Sequence, residues 1–187
     1  MPVQDFLIAL GGNMPSSAGD PVATLQAALH QIAQAGIKVT TTSPFYKTPC
    51  FPAGAGPDYI NAAAALAFEG TPHDLLAHLN AIEAAFDRER VTRWGQRTLD
   101  LDLIAAGDAV LPDPATHATW RHLPLSEQIA TTPDQLIVPH PRLQDRAFVL
   151  VPLADIAPDW THPILGHSVA RMLSDLPPDE VAAVTPL

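Results

Sequence analysis

Residues 3–10 read VQDFLIAL, a short apolar run that stops at Gly11 and Gly12. Such a run fits a buried strand entering a tight loop. The period then changes: Val22, Leu25, Leu29 and Ile32 recur at helical spacing, Asp20 and Pro21 supply a cap and a first-turn proline, and Gly36 supplies a stop. A helix is predicted there. Residues 37–48 are rich in β-branched side chains and broken by Pro44, which predicts an edge or bulged strand. PCFPAGAGPD is loop by composition. The alanine-rich run over residues 59–68 would suit a helix as well as a strand, but Gly70 closes it and Thr71-Pro72 opens a helix carrying Leu75, Leu76, Leu79, Ile82 and Phe86 on one side. It is therefore read as a strand, and a further strand is expected over residues 98–105.

The resulting order, β-α-β-β-α-β, predicts an α/β fold of the α+β kind, with a ferredoxin-like core in which one antiparallel sheet carries two helices on one face. Beyond it lie a proline-punctuated segment (111–133), the compact run LIVPHPRLQDRAFVLVPLADIAPDW, and a short helical signal over residues 168–176. At 187 residues with 47% hydrophobic side chains, the chain is expected to form a single domain over 1–187. Its parts are a core of about 1–107, an insert of about 113–135, and a C-terminal extension of about 136–187 that looks appended to the core. The prolines of the insert are expected to forbid a long regular element and leave an irregular structural flap.

Charge narrows the partners. Twenty acidic against ten basic side chains give a net charge of -10, so the average field repels nucleic acid and anionic membranes. Yet four of the ten cations, Arg88, Arg90, Arg93 and Arg97, fall within ten residues, which makes a local patch able to meet a polyanion. Cys50 is the only cysteine, so neither an intrachain disulfide nor a thiolate metal cluster is available, as suits a reducing cytoplasm. No apolar run approaches the length of a bilayer span, and no membrane association is expected.

The stretch TRWGQRTLDLDLI (92–104) combines these themes. Side chains alternate along a strand, so Leu99, Leu101 and Leu103 point one way while Asp100 and Asp102 share the opposite face, with Cα atoms about 6.5 to 7 Å apart. A D-x-D pair alone is as easily a solvated sheet face as a site. With the arginines just before it, the pair supplies metal anchors beside forks for phosphate oxygens. Pairing of some of the arginines with Asp87 and Glu89 is the competing explanation.

RERVTRWGQRTLDLDLI, followed downstream by IVPHPRLQDRAFVLVPLADIAP, closely resembles the 6-hydroxymethyl-7,8-dihydropterin pyrophosphokinase family of the folate pathway. ALGGN, SPFYKTP, DYINAA and Ile82-Glu83 extend the resemblance over most of the chain. It implies the ferredoxin-like fold, and transfer of the β,γ-pyrophosphoryl unit of ATP to the hydroxymethyl oxygen of the pterin with release of AMP. By the same resemblance Asp100 and Asp102 bind two Mg²⁺ ions, and Arg88, Arg90, Arg93, Arg97, His140 and Arg146 contact ATP. Arg88 and Arg97 join the two aspartates as catalytic residues, and Trp94 helps order a closing loop. For the pterin, Thr48, Pro49 and Asn61 supply edge hydrogen bonds while Tyr59 and Phe148 lie on either side of the ring; core packing is the alternative for either aromatic taken alone. The implied partners are ATP and 6-hydroxymethyl-7,8-dihydropterin, with neither nucleic acid nor membrane, and a monomer is the simplest assembly.

Three features depart from the family pattern. Gly12 replaces a more usual serine, Pro141 follows His140 where some members carry an aromatic, and the segment 113–135 is longer than a link requires. Glu83 is a weaker candidate, because a single acid on a helix is usually at the surface. His30, His73, His78, His117, His122, His162 and His167 show no ligand-like grouping and are expected at the surface or in caps. A non-catalytic ferredoxin-like ligand sensor and another Mg²⁺-dependent phosphoryl or nucleotidyl transferase are the rival readings. A sensor would not need the carboxylates and arginines together, and a transferase for another acceptor would not need Asn61, Tyr59 and Phe148 together.

Overall fold

A computed structural model of the chain describes residues 2–50, 54–86 and 98–187. Its strands are β1 (Gln4–Gly12), β2 (Lys38–Thr42), β3 (Tyr46–Thr48), β4 (Tyr59–Phe68), β5 (Asp100–Ala106) and β6 (Thr185–Pro186). The longer helices are α1 (Pro21–Gln34), α2 (Pro72–Ala85), α3 (Pro114–Arg121) and α5 (Ala147–Ile156). Shorter ones are α4 (Leu125–Ala130), α6 (Val169–Ser174) and α7 (Pro178–Ala182). The sheet order is β5-β1-β4-β3-β6, with β2 also paired to β4 and every pairing antiparallel. This is the ferredoxin-like interleaving of two β-α-β halves, with β2 and β3 as two pieces of one strand. The break between them falls at Pro44, which cannot donate to a ladder. Ser43 closes the gap, its Oγ accepting from Ala63 N at 2.9 Å.

The predicted helix signals act as read. Asp20 accepts from Ala23 N at the start of α1, and Gly36 turns the chain with φ +81. Thr71 and Asp74 form a reciprocal capping box on α2. No helix of the described residues is long and apolar enough to cross a membrane.

Alternation along the strands divides the core in two. Ile8, Leu10, Ala62, Ala64, Leu66, Leu101 and Leu103 face α1 and α2, whose Leu25, Ile32, Leu75, Leu79 and Ile82 complete the first cluster. Leu7, Ala63, Ile104 and Ala105 face the other way, against Val149, Leu150 and Leu153 of α5 and Val169 and Met172 of α6. The C-terminal third is thus the second cover of the sheet rather than an appendage. Its apolar residues, spread over short segments, carry too little periodicity to reveal this in the sequence. β6 then pairs with β3 at the sheet edge, and Tyr46 Oη donates to Asp155 Oδ2 at 2.5 Å, tying β3 to α5.

The insert also differs from the irregular flap expected. It forms α3 and α4, because Pro114 occupies the first turn of α3 and Pro124 the N-cap of α4, where a missing N–H costs nothing. His117 on α3 and His162, expected near the surface, are both fully buried. Burial, then the neighbouring His117 and Arg121, push the His162 imidazole down to about 4, and burial lowers His117 as well.

Glu83, expected at the surface of α2, is likewise buried, and its Oε1 accepts from Leu101 N at 2.7 Å. It straps α2 to the outer edge of β5. Removing it by Glu83→Ala should orphan that N–H and lower unfolding free energy by about 1–3 kcal/mol, with Glu83→Gln losing less. Urea denaturation reads the difference, and an alanine variant as resistant as the parent would mean the strap contributes nothing. The buried histidines predict an acid sensitivity. The unfolded chain protonates His162 near pH 6.5 whereas the folded chain waits until about 4, so its contribution is complete above 6.5 and is lost as pH falls through that window. The loss should reach about 1–3 kcal/mol by pH 4.5, and be smaller in His162→Asn. Parallel urea midpoints for the two proteins between pH 7 and 4.5 would contradict it.

Candidate active site

The register of the sheet lines up the predicted residues. Gly11 of β1 pairs with Asp100 on one side and Asn61 on the other, and Asn61 in turn pairs with Tyr46. Thr48 pairs with Tyr59 one step along, and Asp102 lies opposite Ala9. Directly paired residues share a face, so Asp100, Asp102, Asn61, Tyr59 and Thr48 all lie on the face that α5 covers, at the same end of the sheet. Two strand spacings put Asp100 and Asn61 about 9 to 10 Å apart across the Gly11 backbone. A Cβ at Gly11 would approach Asn61 Oδ1 to 2.9 Å, so the absence of a side chain lets that amide lie over β1.

Asn61 and Thr48 are joined directly. Asn61 Nδ2 donates to Thr48 Oγ1 at 2.7 Å, and both residues are buried. That fixes the Asn61 Oδ1 direction toward Gly11. Tyr59 is half-buried and Pro49 exposed. Core packing does not explain Phe148, which is 40% exposed at the start of α5 with the Arg146 guanidinium carbon 5.7 Å from its ring centre. Asn13, from ALGGN, is buried and donates through Nδ2 to Pro57 O at 3.1 Å, holding the loop before β4 against the end of β1.

Beside the aspartates a cleft of about 250 Å³ follows the outer edge of β5. It is lined by Asp100 and Asp102, by Leu76, Asn80 and Glu83 of α2, and by Leu136, Ile137 and His140 from the connection that follows the insert. The edge is closed by main-chain and side-chain bonds rather than by another strand: His140 N donates to Ile104 O at 2.8 Å, beyond the Leu101 to Glu83 bond. His140 Nδ1 accepts from Arg142 N at 3.1 Å, which places the ring proton on Nε2. Burial and then Arg146 push this imidazole down to about 3 despite the opposing pull of Asp100, so it is a neutral donor at physiological pH.

Asp100, Asp102, His140, Arg146, Thr48, Asn61 and Tyr59 are therefore gathered around one end of the sheet. Arg88, Arg90, Arg93, Trp94 and Arg97 lie outside the described residues. Reading the sequence missed Leu76, Asn80, Leu136 and Ile137 as cleft walls; the helical period marks Leu76 as apolar but gives no sign that it faces a cleft.

The donor set suits magnesium. Among the described residues no cluster of three or more His, Cys, Asp or Glu side chains could hold a metal by itself. Two carboxylates at the mouth of an open cleft match an ion that keeps waters and takes its remaining oxygens from a polyphosphate.

Comparison with known proteins identifies the family. The sequence model of the 7,8-dihydro-6-hydroxymethylpterin-pyrophosphokinase (HPPK) family matches residues 7–158. A Synechocystis protein named 2-amino-4-hydroxy-6-hydroxymethyldihydropteridine pyrophosphokinase is 39% identical over 96% of this chain and 80% of its own length. A Methylorubrum extorquens protein of the same name is 36% identical over 95% and 96%. The wild-type Plasmodium falciparum HPPK-DHPS crystal structure superposes on 92% of this chain with a TM-score of 0.64 at 16% identity, and the chain spans 41% of that longer polypeptide, which supports the fold. With the family model covering most of its length and the curated relatives matched nearly end to end, the chain belongs to the HPPK family.

Proposed function

We propose that the row Asp100, Gly11 and Asn61 across the sheet is the axis along which this enzyme joins its two substrates. The reaction is that of the family: ATP-dependent pyrophosphoryl transfer to 6-hydroxymethyl-7,8-dihydropterin, giving the pterin diphosphate and AMP in folate biosynthesis. The observation that carries the residue assignment is the shared face. A carboxylate pair and a buried amide-hydroxyl pair stand about two strands apart with only glycine and alanine between them.

On this reading the base and ribose of ATP follow the cleft between α2 and residues 136–140, with Leu76, Leu136 and Ile137 as apolar walls and Asn80 as a polar contact. His140 donates through Nε2 and Arg146 offers a guanidinium to the phosphates. Arg88, Arg90, Arg93 and Arg97 would complete the phosphate contacts, with Trp94 among them in the sequence. Asp100 and Asp102 would hold magnesium, and the family pattern implies two ions; when bound, the metal supplies positive charge against the phosphate oxygens. Thr48 and Asn61 present a fixed donor and acceptor pattern to the pterin edge, Pro49 borders it, and Tyr59 and Phe148 offer aromatic faces. Holding the hydroxymethyl oxygen in line with the β-phosphorus makes AMP the leaving group and saves the entropy of a bimolecular encounter. A ligand sensor has no use for the paired carboxylates, and it is not favoured.

Incubation with ATP, Mg²⁺ and the hydroxymethyl dihydropterin should yield AMP and pterin diphosphate in equal amounts by chromatography. ADP with a pterin monophosphate would refute the assignment. Asp100→Asn and Asp102→Asn should each lower kcat by about 10²-fold or more with an unchanged urea midpoint. Near-normal turnover of either at limiting Mg²⁺ would remove that residue from the metal site. Gly11→Ala should displace the Asn61 amide and raise KM for the pterin by about tenfold, with KM for ATP little changed; equal effects on both substrates would mean the glycine serves the fold instead.

A further inference from the structure

The insert that lengthens the chain between β5 and His140 meets the site at one buried point. His117, on α3, is fully buried, and its Nε2 lies 2.9 Å from the carbonyl of Pro139, the residue before His140. A carbonyl can only accept, so the His117 proton is on Nε2 and its Nδ1 is left as an acceptor. Nδ1 has no hydrogen-bond partner among the described residues. Beside the His117 ring stands His162, from the turn that precedes α6, also fully buried. Ile164 N and Leu165 N both donate to His162 Nδ1 at 3.2 Å, which places that ring's proton on Nε2, and Nε2 likewise has no partner among the described residues. The two rings meet edge-on, with centroids 5.7 Å apart and planes at 72°. One ring therefore offers an orphan donor and the other an orphan acceptor, each of which is costly to bury alone.

We propose that His117 is a positioning residue for His140: His162 Nε2–H bonds His117 Nδ1, directly or through one shared water, and so holds His117 in the tautomer that donates to Pro139 O and sets the main chain of His140 beside β5. The inference rests on the reading of the β5 cleft as the nucleotide site.

The surroundings favour this arrangement. Leu111 and Val138 exchange main-chain bonds of 2.8 and 3.2 Å just before the His117 contact, and His140 N reaches Ile104 O just after it. Residues 138–140 are thus pinned in turn to Leu111, to the insert and to β5. Trp160 packs on His162 with ring centres 5.9 Å apart and planes tilted by 60°, and donates through Nε1 to Gly107 O at 3.1 Å, anchoring the C-terminal side of the pair to the end of β5. Burial keeps both imidazoles neutral, and Arg121 of α3 adds to this by opposing a second positive charge nearby. The insert therefore carries the donor that fixes where the neutral Nε2–H of His140 sits in the cleft.

Nitrogen-15 NMR of the imidazoles in the whole protein tests the pair. At pH 7 both rings should be neutral with the proton on Nε2. A His117 proton on Nδ1, or a charged ring, would overturn the proposal. Steady-state kinetics test the consequence. His117→Leu should raise KM for ATP about tenfold with kcat within about twofold of the parent, while His117→Gln, which keeps an N–H donor within reach of Pro139, should restore KM to within about threefold. A leucine variant with the parent KM for ATP, whatever its melting temperature, would leave His117 with a structural role only and overturn the proposal. Should the leucine variant not fold, His162→Asn takes its place with the same expected rise in KM. Failure of the unmodified protein to use ATP would instead strike the reading of the cleft, and the NMR result would still decide the pair.

Discussion

An edge strand has to satisfy its outer main-chain groups without another strand to pair with, and at β5 this constraint shapes the whole site. The solution is a carboxylate on one side and a loop on the other. Glu83 reaches from α2 to accept from Leu101 N, and His140 N donates to Ile104 O. Because side chains rather than a full ladder cover this edge, a cleft remains along it with Asp100 and Asp102 at its rim. The groups that hold the strand in place also bound the cleft. Two demands, saturation of the edge and access for a ligand, are met by the same few residues.

A second constraint is space. The strands around the aspartates carry Gly11 and Ala9 on β1, and Ala63 on β4, on the face that bears Asp100 and Asn61. Larger side chains there would fill the ground between the carboxylates and the Asn61–Thr48 pair. The same face, further along, is closed by α5 and α6 through Leu150, Leu153 and Val169. One sheet face thus passes from open site to packed core within a few residues. The β1–β5 register shift near Ile8 makes this transition compatible with the ladder, since it lets Ile104 and Ala105 both turn toward the second core.

Polar burial does similar work at a distance. Glu83, His117 and His162 are all buried, and all three link segments far apart in sequence. Each would be a poor choice for the interior unless its partners were fixed, because an unpaired buried polar group costs more than the bond returns. Their placement ties α2, α3 and the C-terminal turn to the two ends of β5 and to the loop that carries His140.

The sequence by itself determined the element order of the β-α-β-β-α-β core and the carboxylate pair, because both are matters of local period. Alternation sends Asp100 and Asp102 to one face whatever surrounds them, and the Thr71 and Asp20 caps act within four residues of chain. The strong likeness of the two long motifs to a known family fixed the reaction class. What tertiary structure alone decided was which groups meet. Asn61 sits beside Gly11 only through the β1–β4 register, and Leu136 and Ile137 become walls of a cleft only because the insert returns residues 136–140 to the edge of β5. Glu83 and the two histidines looked like surface residues for the same reason. Their partners, Leu101 N for Glu83, Pro139 O for His117 and the facing ring for each histidine, lie in other segments of the chain, and a one-dimensional pattern carries no record of a contact made across the fold.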